Sequence, residues 1–190
     1  MQINMFFFAT DSSKTFKPRS IEHAYACILG DDIKSAQAVF ESLDSPRARW
    51  GKFLTDVILG YIEIYPTYFA IRNFLEIDLD FLIKNKKIDY VESLLGSLEL
   101  LSEINQEIYK YVARVMYENR LHNAAREYME KSKRIFYNDP ELHFMFAKYF
   151  LNSRDYEEAS FYIKECLRIL PDYYPAKQLK LEIDKFIHSN

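Results

Sequence analysis

Residues 155–162 read DYEEASFY, and residues 121–128, which lie 34 positions earlier, read LHNAAREY. The same offset joins further pairs of matching residues, namely Ala113 with Ala147, Ala125 with Ala159, and Tyr128 with Tyr162. One more step back gives a more divergent copy over residues 72–105, in which leucine and valine occupy the small positions. A period in this range indicates that one supersecondary unit recurs and that neighbouring units share a core.

The recurring unit predicts a pair of helices. Asp139 is suited to cap the first helix of the last unit, and Pro140 then takes the first helical position, where its missing N–H costs nothing. Asp155 is suited to cap the second helix, with Glu158 three residues further on, as in a capping box. Pro171 ends that helix. Because the chain has only 4 Gly and 6 Pro in 190 residues, its composition also favours helices over sandwiches or barrels.

These helix pairs resemble the tetratricopeptide repeat (TPR) family, whose 34-residue unit has small residues at the helix contacts and a closing proline. The residues that carry the resemblance in the last unit are Ala147, Tyr156, Ala159, Cys166 and Pro171. The similarity is clearest over residues 106–173. It implies an all-α fold in which antiparallel helix hairpins stack into a right-handed superhelical solenoid.

The chain divides into three parts on this interpretation. Residues 1–17 form an N-terminal extension, residues 18–173 form the TPR-like domain, and residues 174–190 form an amphipathic helix that caps the stack. A further helix pair is predicted near the N-terminus, turning at Gly30. The repeat register breaks between residues 46 and 72, where we expect an irregular helix.

Charge and hydropathy exclude two classes of partner. The formal net charge is -3, so the chain lacks the positive field that nucleic-acid binding usually needs. The most apolar run, residues 57–62, falls well short of the roughly 20 residues that a membrane span requires. We therefore expect a cytoplasmic protein without nucleic-acid partners and without a membrane span.

Motifs for catalysis and cofactor binding are not found in the sequence. The four glycines are isolated from one another, which excludes glycine-rich phosphate loops, and the four histidines do not have the spacing of metal ligands. We expect no catalytic residue, no metal site and no cofactor. An enzyme or ligand-binding subunit remains an alternative, and it would require a closed pocket with converging titratable groups.

The resemblance implies that the first helix of each unit lines a concave groove, so equivalent residues of successive first helices form columns. These columns predict a partner-binding strip made of Lys110, Arg114, Tyr117, Phe144, Lys148 and Asn152. Its cations could hold a peptide carboxylate or an acidic segment, and its rings could supply apolar contact. The alternative is a solvated helix face with scattered charges.

The leading hypothesis for function is an adapter or scaffold that binds a peptide or a partner helix in this groove. A secretion or assembly chaperone for an aggregation-prone client is the other hypothesis, because the same groove could shield such a client. The apolar segment Met5–Phe8 should not stay free in water, and it could dock on its own repeats or bridge two copies into a homodimer.

Overall fold

The computed structural model describes residues 20–188, and these residues form eleven α-helices and no β-strand, which confirms the all-α class. The predicted extension at residues 1–17 lies outside the described residues. The helices are α1 (Ile21–Leu29), α2 (Ile33–Glu41), α3 (Pro46–Leu59), α4 (Tyr68–Lys84), α5 (Ile88–Gly96), α6 (Leu98–Ser102), α7 (Ile108–Glu118), α8 (His122–Ile135), α9 (Pro140–Asn152), α10 (Tyr156–Ile169) and α11 (Tyr174–His188).

The helices pack mainly on their neighbours along the chain. Four antiparallel pairs with short connections are α1 with α2, α4 with α5, α7 with α8, and α9 with α10. Helix α3 packs on α2, α4 and α5, while α4 also packs on α7 and α11 packs on α10 and α9. Apolar side chains fill two core clusters, one running from α1 to α8 and the other from α7 to α11.

The turns inside all four of these pairs share one backbone conformation, which in the α1–α2 turn falls on Asp31 with a φ of 62°. Lys86, Arg120 and Arg154 have φ angles of 57°, 62° and 60°, in the left-handed region, and each lies 34 positions after the one before. In each turn a backbone N–H closes a six-residue ring, as when Leu121 donates to the Met116 carbonyl at 2.9 Å. The 34-residue period is therefore present in the backbone, including the unit in which the sequence similarity is weakest.

The predicted caps of the last unit are confirmed. The Asp139 carboxylate accepts hydrogen bonds from the backbone N–H groups of Glu141 and Leu142, at 2.9 and 3.3 Å. The Asp155 carboxylate accepts the N–H of Glu158 at 3.2 Å. Each bond satisfies an N–H group that has no partner inside its own helix.

The irregular helix expected between residues 46 and 72 is not found. Helix α3 is regular and ends at Gly60, whose φ of 85° lies in the left-handed region. Residues 61–67 are not helical, and Thr67 caps α4 by accepting the N–H of Ala70 at 3.2 Å. Pro66 disfavours a helical conformation at the preceding residue, so the two helices cannot merge across this connection.

A close helix contact joins α2 to α3. A Cβ atom built on Gly51 would lie 2.3 Å from the nearest ring carbon of Phe40. The Phe40 ring therefore rests directly on the α3 backbone, and only glycine leaves room for it. This contact brings α2 and α3 together beneath the aromatic residues of α3.

The carboxylate of Asp78, fully buried on α4, joins three helices. It accepts hydrogen bonds from the Tyr25 hydroxyl at 2.8 Å and the Trp50 indole N–H at 2.6 Å. The Arg47 guanidinium lies 2.5 Å away and also stacks over the rings of Tyr25 and Phe74. Burial raises the pKa of Asp78, and the positive charge of Arg47 opposes that shift. Helices α1, α3 and α4 are thus tied to one charged group.

We predict that Asp78→Ala destabilises the protein by about 3–5 kcal/mol, because it leaves the Arg47 charge partly buried without its partner. Asp80→Ala is the matched control, since Asp80 lies on the same helix but is partly exposed, where it pairs with Lys84 and accepts one hydrogen bond from Asn119. Its cost should be about 0–1 kcal/mol. Urea unfolding followed by circular dichroism measures both values, and equal costs would contradict the role given to Asp78.

We also predict that Ala159→Leu destabilises the protein by about 1–3 kcal/mol through overpacking. Ala159 is fully buried on α10, which packs along α9. Lys164→Leu, at an exposed position of the same helix, should change stability by no more than about 0.5 kcal/mol. Thermal unfolding of the two variants tests this, and an unchanged melting temperature for Ala159→Leu would mean that the helix contact is not tight.

Candidate functional site

The structure places the six residues of the predicted strip, called here the α7–α9 strip, on two helices joined by side-chain contacts. Lys110, Arg114 and Tyr117 lie on α7, and Phe144, Lys148 and Asn152 lie on α9. The Lys148 ammonium lies 5.1 Å from the centroid of the Tyr117 ring and 5.8 Å from that of Phe144. The Asn152 amide donates a hydrogen bond to the Tyr117 hydroxyl. The column arithmetic therefore predicted spatial neighbours correctly.

Lys110, however, is a buried residue that takes part in internal ion pairs. Its ammonium lies 2.6 Å from Asp139, 3.2 Å from Glu107 and 3.3 Å from Glu141. Burial alone would lower the pKa of Lys110, but these three carboxylates together raise it. Because Asp139 also caps α9, Lys110 fastens the start of α9 to α7. It is not the exposed cation that the sequence predicted.

Arg114 is also engaged. One guanidinium nitrogen lies 2.8 Å from a Glu76 oxygen on α4, and another lies 2.6 Å from a Glu141 oxygen on α9. Arg114 therefore connects three helices. Four carboxylates surround the two cations Lys110 and Arg114, namely Glu76, Glu107, Asp139 and Glu141. This half of the strip is acidic rather than basic, partly because acidic side chains favour the first turn of α9.

Lys148 is different from the other two cations. Within residues 20–188 no carboxylate forms an ion pair with it, and its contacts are the two aromatic rings. The Phe144 ring in turn packs edge-on against Tyr173 at 5.4 Å. A shallow depression beside α11 includes Phe144, Lys148 and Gln178. Lys148, Tyr117, Phe144 and Asn152 thus form the part of the strip that remains open to a partner.

A second surface, called here the α3–α4 groove, lies between the first halves of those two helices. The sequence indicated only that bulky aromatic residues interrupt the repeat in this region. The groove has a volume of about 340 Å³. Its lining residues are Pro46, Arg49, Trp50, Lys52 and Phe53 from α3, Ile64, Tyr65, Pro66 and Thr67 from the connection, and Phe69, Ala70, Asn73 and Phe74 from α4.

The rim of the α3–α4 groove exposes large apolar side chains to water. Phe69 is 67% exposed and Ile64 is 69% exposed. Five such residues fall within nine positions of the chain, namely Tyr61, Ile64, Tyr65, Tyr68 and Phe69. Isolated exposed apolar residues are ordinary, but a contiguous patch marks an interaction surface.

Polar contacts hold the connection that forms one side of the groove. The Lys52 ammonium lies 2.7 Å from Glu63 in the connection and 3.0 Å from Asp56 on α3. The Gln37 amide of α2 donates to Asp56 at 2.6 Å and to the Tyr61 hydroxyl at 2.7 Å. Burial alone would lower the pKa of Lys52, but its hydrogen bonds to Glu63 and Asp56 outweigh that effect and raise the pKa. The groove is therefore a preformed feature.

The lining of the groove is mainly apolar and aromatic. Arg49 and Lys52 are the charged residues among its described lining, which includes no Asp, Glu, His or Cys. Arg49 pairs with Asp44 at 2.9 Å, and Lys52 is engaged as above. What remains is an apolar surface with aromatic walls, which can take up bulky apolar side chains.

The groove and the strip meet along α4. Phe69 and Asn73 line the groove, and Glu76 and Asp80 follow on the same face at helical spacing. Glu76 pairs with Arg114, and Asp80 accepts a hydrogen bond from the Asn119 amide at 2.8 Å. The two surfaces are therefore adjacent, and an extended chain that ran from the groove along α4 would reach the α7–α9 strip.

Three comparisons with known proteins bear on the identity of the chain. Comparisons of the chain with protein-family models, with curated proteins and with solved structures found no match. Over the part of the chain that the structure describes, no cluster of His, Cys, Asp and Glu could hold a metal ion. No described helix has both the length and the apolar character needed to cross a membrane.

The ion pairs change what charge reversal in the strip should do. The sequence predicts that reversing Arg114 and Lys148 leaves melting intact, but the structure supports this only for Lys148. Arg114→Glu places a third carboxylate beside Glu76 and Glu141, and we predict a loss of about 1–3 kcal/mol. Lys148→Glu should cost less than about 0.5 kcal/mol. Urea unfolding checks the difference, and it should shrink in high salt, which screens repulsion.

Proposed function

We propose that this chain is a protein-interaction module that takes bulky apolar side chains of a partner segment in the α3–α4 groove. The observation that carries the proposal is the open groove itself, whose exposed surface includes Ile64, Phe69 and the half-buried Phe74, while Trp50 and Phe53 are buried beneath it. Covering such a surface is favourable by roughly 25 cal/mol per Å² of apolar area removed from water. Aromatic residues also dominate the energetics of many interfaces.

The size of the groove favours a short motif over a non-native client. At about 340 Å³ it lies at the lower end of the range for ligand pockets, so it suits one or two large side chains. A chaperone that shields an unfolded client needs apolar surface over a longer path. The adapter hypothesis is therefore the better supported of the two.

The TPR-like arrangement is part of the proposal. The identical left-handed turns at Lys86, Arg120 and Arg154 support it, as does the packing of α4 on α7. In such a stack α4, α7 and α9 line one side, so a bound segment would continue from the groove toward Lys148 and Asn152. We assign these two residues, with Tyr117 and Phe144, a secondary role in orienting the partner.

We predict that Phe69→Asp abolishes partner binding without harming the fold. Phe69 is the second residue of α4, where a negative charge favours the positive end of the helix dipole. In the groove the same charge would have to be desolvated against apolar side chains. The measurement is capture from native cell extract on immobilised protein, with quantitative mass spectrometry and circular dichroism of each variant.

Phe161→Asp is the matched control, because it makes the same change at another half-exposed ring, on α10. Proteins captured by the parent and by Phe161→Asp should be depleted at least ten-fold with Phe69→Asp. If all three chains capture the same set equally, the groove does not bind partners. If captured proteins are instead lost only with Lys148→Glu, the partner-binding site is the α7–α9 strip.

A further inference from the structure

We propose that His143 is an acid-sensitive latch, which holds the α8–α9 connection, residues 136–139, onto α9 while its ring is neutral and releases the connection when the ring takes up a proton. The residues that carry this inference lie in the second half of the molecule. It therefore does not rest on the function proposed for the α3–α4 groove.

The imidazole of His143 lies in a closed site near the start of α9, where its side chain is fully buried. The ring of Tyr137 in the connection packs edge-on against it with centroids 5.3 Å apart, and the ring of Tyr162 on α10 lies at 5.8 Å. A charged imidazole would exchange its hydration for these rings, and burying a charge without a partner is costly.

One hydrogen bond fixes the neutral form of the ring. The Nε2 atom of His143 lies 2.7 Å from the backbone carbonyl oxygen of Tyr137, and because a carbonyl can only accept, Nε2 carries the proton and donates it. The other ring nitrogen, Nδ1, is buried and has no hydrogen-bond partner among the described residues. A second proton could bind only at Nδ1, where no acceptor receives it. The geometry of the site therefore opposes protonation.

Charged groups approach His143 from each element packed against it. Lys133 on α8 opposes a second positive charge, whereas Asp139 in the connection and Glu165 on α10 favour it. Each of these carboxylates already forms an ion pair with another cation, and the two tyrosine rings stay neutral in this range of pH. Burial has the largest effect, so the pKa of His143 lies below its ordinary value of 6.5.

The connection that His143 holds also forms the junction between α7 and α9. Asp139 caps α9 by accepting the backbone N–H of Glu141, and it lies 2.6 Å from the Lys110 ammonium on α7. His143 follows Asp139 by four residues, and its backbone N–H donates to the Asp139 carbonyl at 3.2 Å. Release of the connection therefore loosens the α7–α9 strip as well as the start of α9.

The latch should become more stable as the pH rises, because an exposed His143 binds a proton more readily than the buried one does. Its contribution is complete above about pH 6.5. That contribution is lost as the pH falls from this value toward the lower pKa of the buried ring. Within this window the equilibrium constant for opening should grow by up to about ten-fold for each unit of pH.

The first test follows the parent protein without any substitution. Long-range ¹H–¹⁵N correlation spectra report the tautomer and the protonation of His143 between about pH 8 and about pH 5. We expect the tautomer with the proton on Nε2 at neutral pH, and uptake of the second proton below about pH 6.5, the value of an unperturbed histidine. A ring that gains its second proton at or above that value overturns the proposal.

Hydrogen exchange shows whether the proton releases the connection. The backbone amides of Glu141, Leu142 and His143 all bond to Asp139, so their protection reports on the latch. Their protection factors, which divide out the intrinsic effect of pH on exchange, should fall as His143 is protonated, while amides in the middle of α3 keep theirs. Unchanged protection overturns the proposal. Equal losses in both places also overturn it, because acid would then unfold the whole chain.

His143→Gln separates the effect of the proton from that of packing. A glutamine amide keeps a donor for the Tyr137 carbonyl but does not titrate, so the acid-dependent loss of protection at residues 141–143 should disappear. His122→Gln is the matched control, since it makes the same change at an exposed histidine on α8 and should keep the response of the parent. A response of His143→Gln equal to that of the parent overturns the proposal. If His143→Gln does not fold, the titration and the exchange of the parent decide.

Discussion

The buried carboxylate of Asp78 determines how the first half of the molecule is assembled. A buried charge is tolerated only when donors converge on it, and Tyr25, Arg47 and Trp50 supply those donors from α1 and α3. Because the indole of Trp50 is held by that hydrogen bond, its buried ring is fixed beneath the α3–α4 groove. The surface proposed for binding thus depends on an interaction in the interior behind it, so the polar network would matter for the proposed recognition as well as for stability.

The second half is built on regular packing instead. Phe146 stacks on Tyr162 with ring centroids 4.6 Å apart, and Ala147 and Ala159 are fully buried on the same two helices. Small residues let α9 and α10 approach, and large rings fill the space beside them. The same small positions recur 34 residues earlier as the buried Ala113 and Ala125, on α7 and α8. The α3–α4 groove lies in the first half, where the repeat register breaks.

Local signals in the sequence were enough to predict much of the fold. The caps at Asp139 and Asp155 and the 34-residue period depend on neighbours along the chain, so they were readable. The positions of the left-handed turns could not be predicted from the sequence, because Lys86, Arg120 and Arg154 occupy them instead of glycine. The pairing of Lys110 with Asp139 joins residues 29 positions apart and depends on how α7 meets α9. No periodicity in the sequence shows whether such a cation is free or already neutralised.

The same limit explains why the strip predicted from the sequence includes two cations that the fold pairs internally. Columns of equivalent residues identify which side chains are neighbours, and they correctly placed Lys148 beside Tyr117 and Phe144. The columns do not show which carboxylates of neighbouring helices lie beside a cation. Glu76 of α4 and Glu141 of α9 both form ion pairs with Arg114. A surface can recognise a partner only with groups that the fold has not already used. By that criterion Lys148 and the exposed apolar side chains of the groove rim, such as Ile64 and Phe69, are available, whereas Lys110 and Arg114 chiefly hold α4, α7 and α9 together.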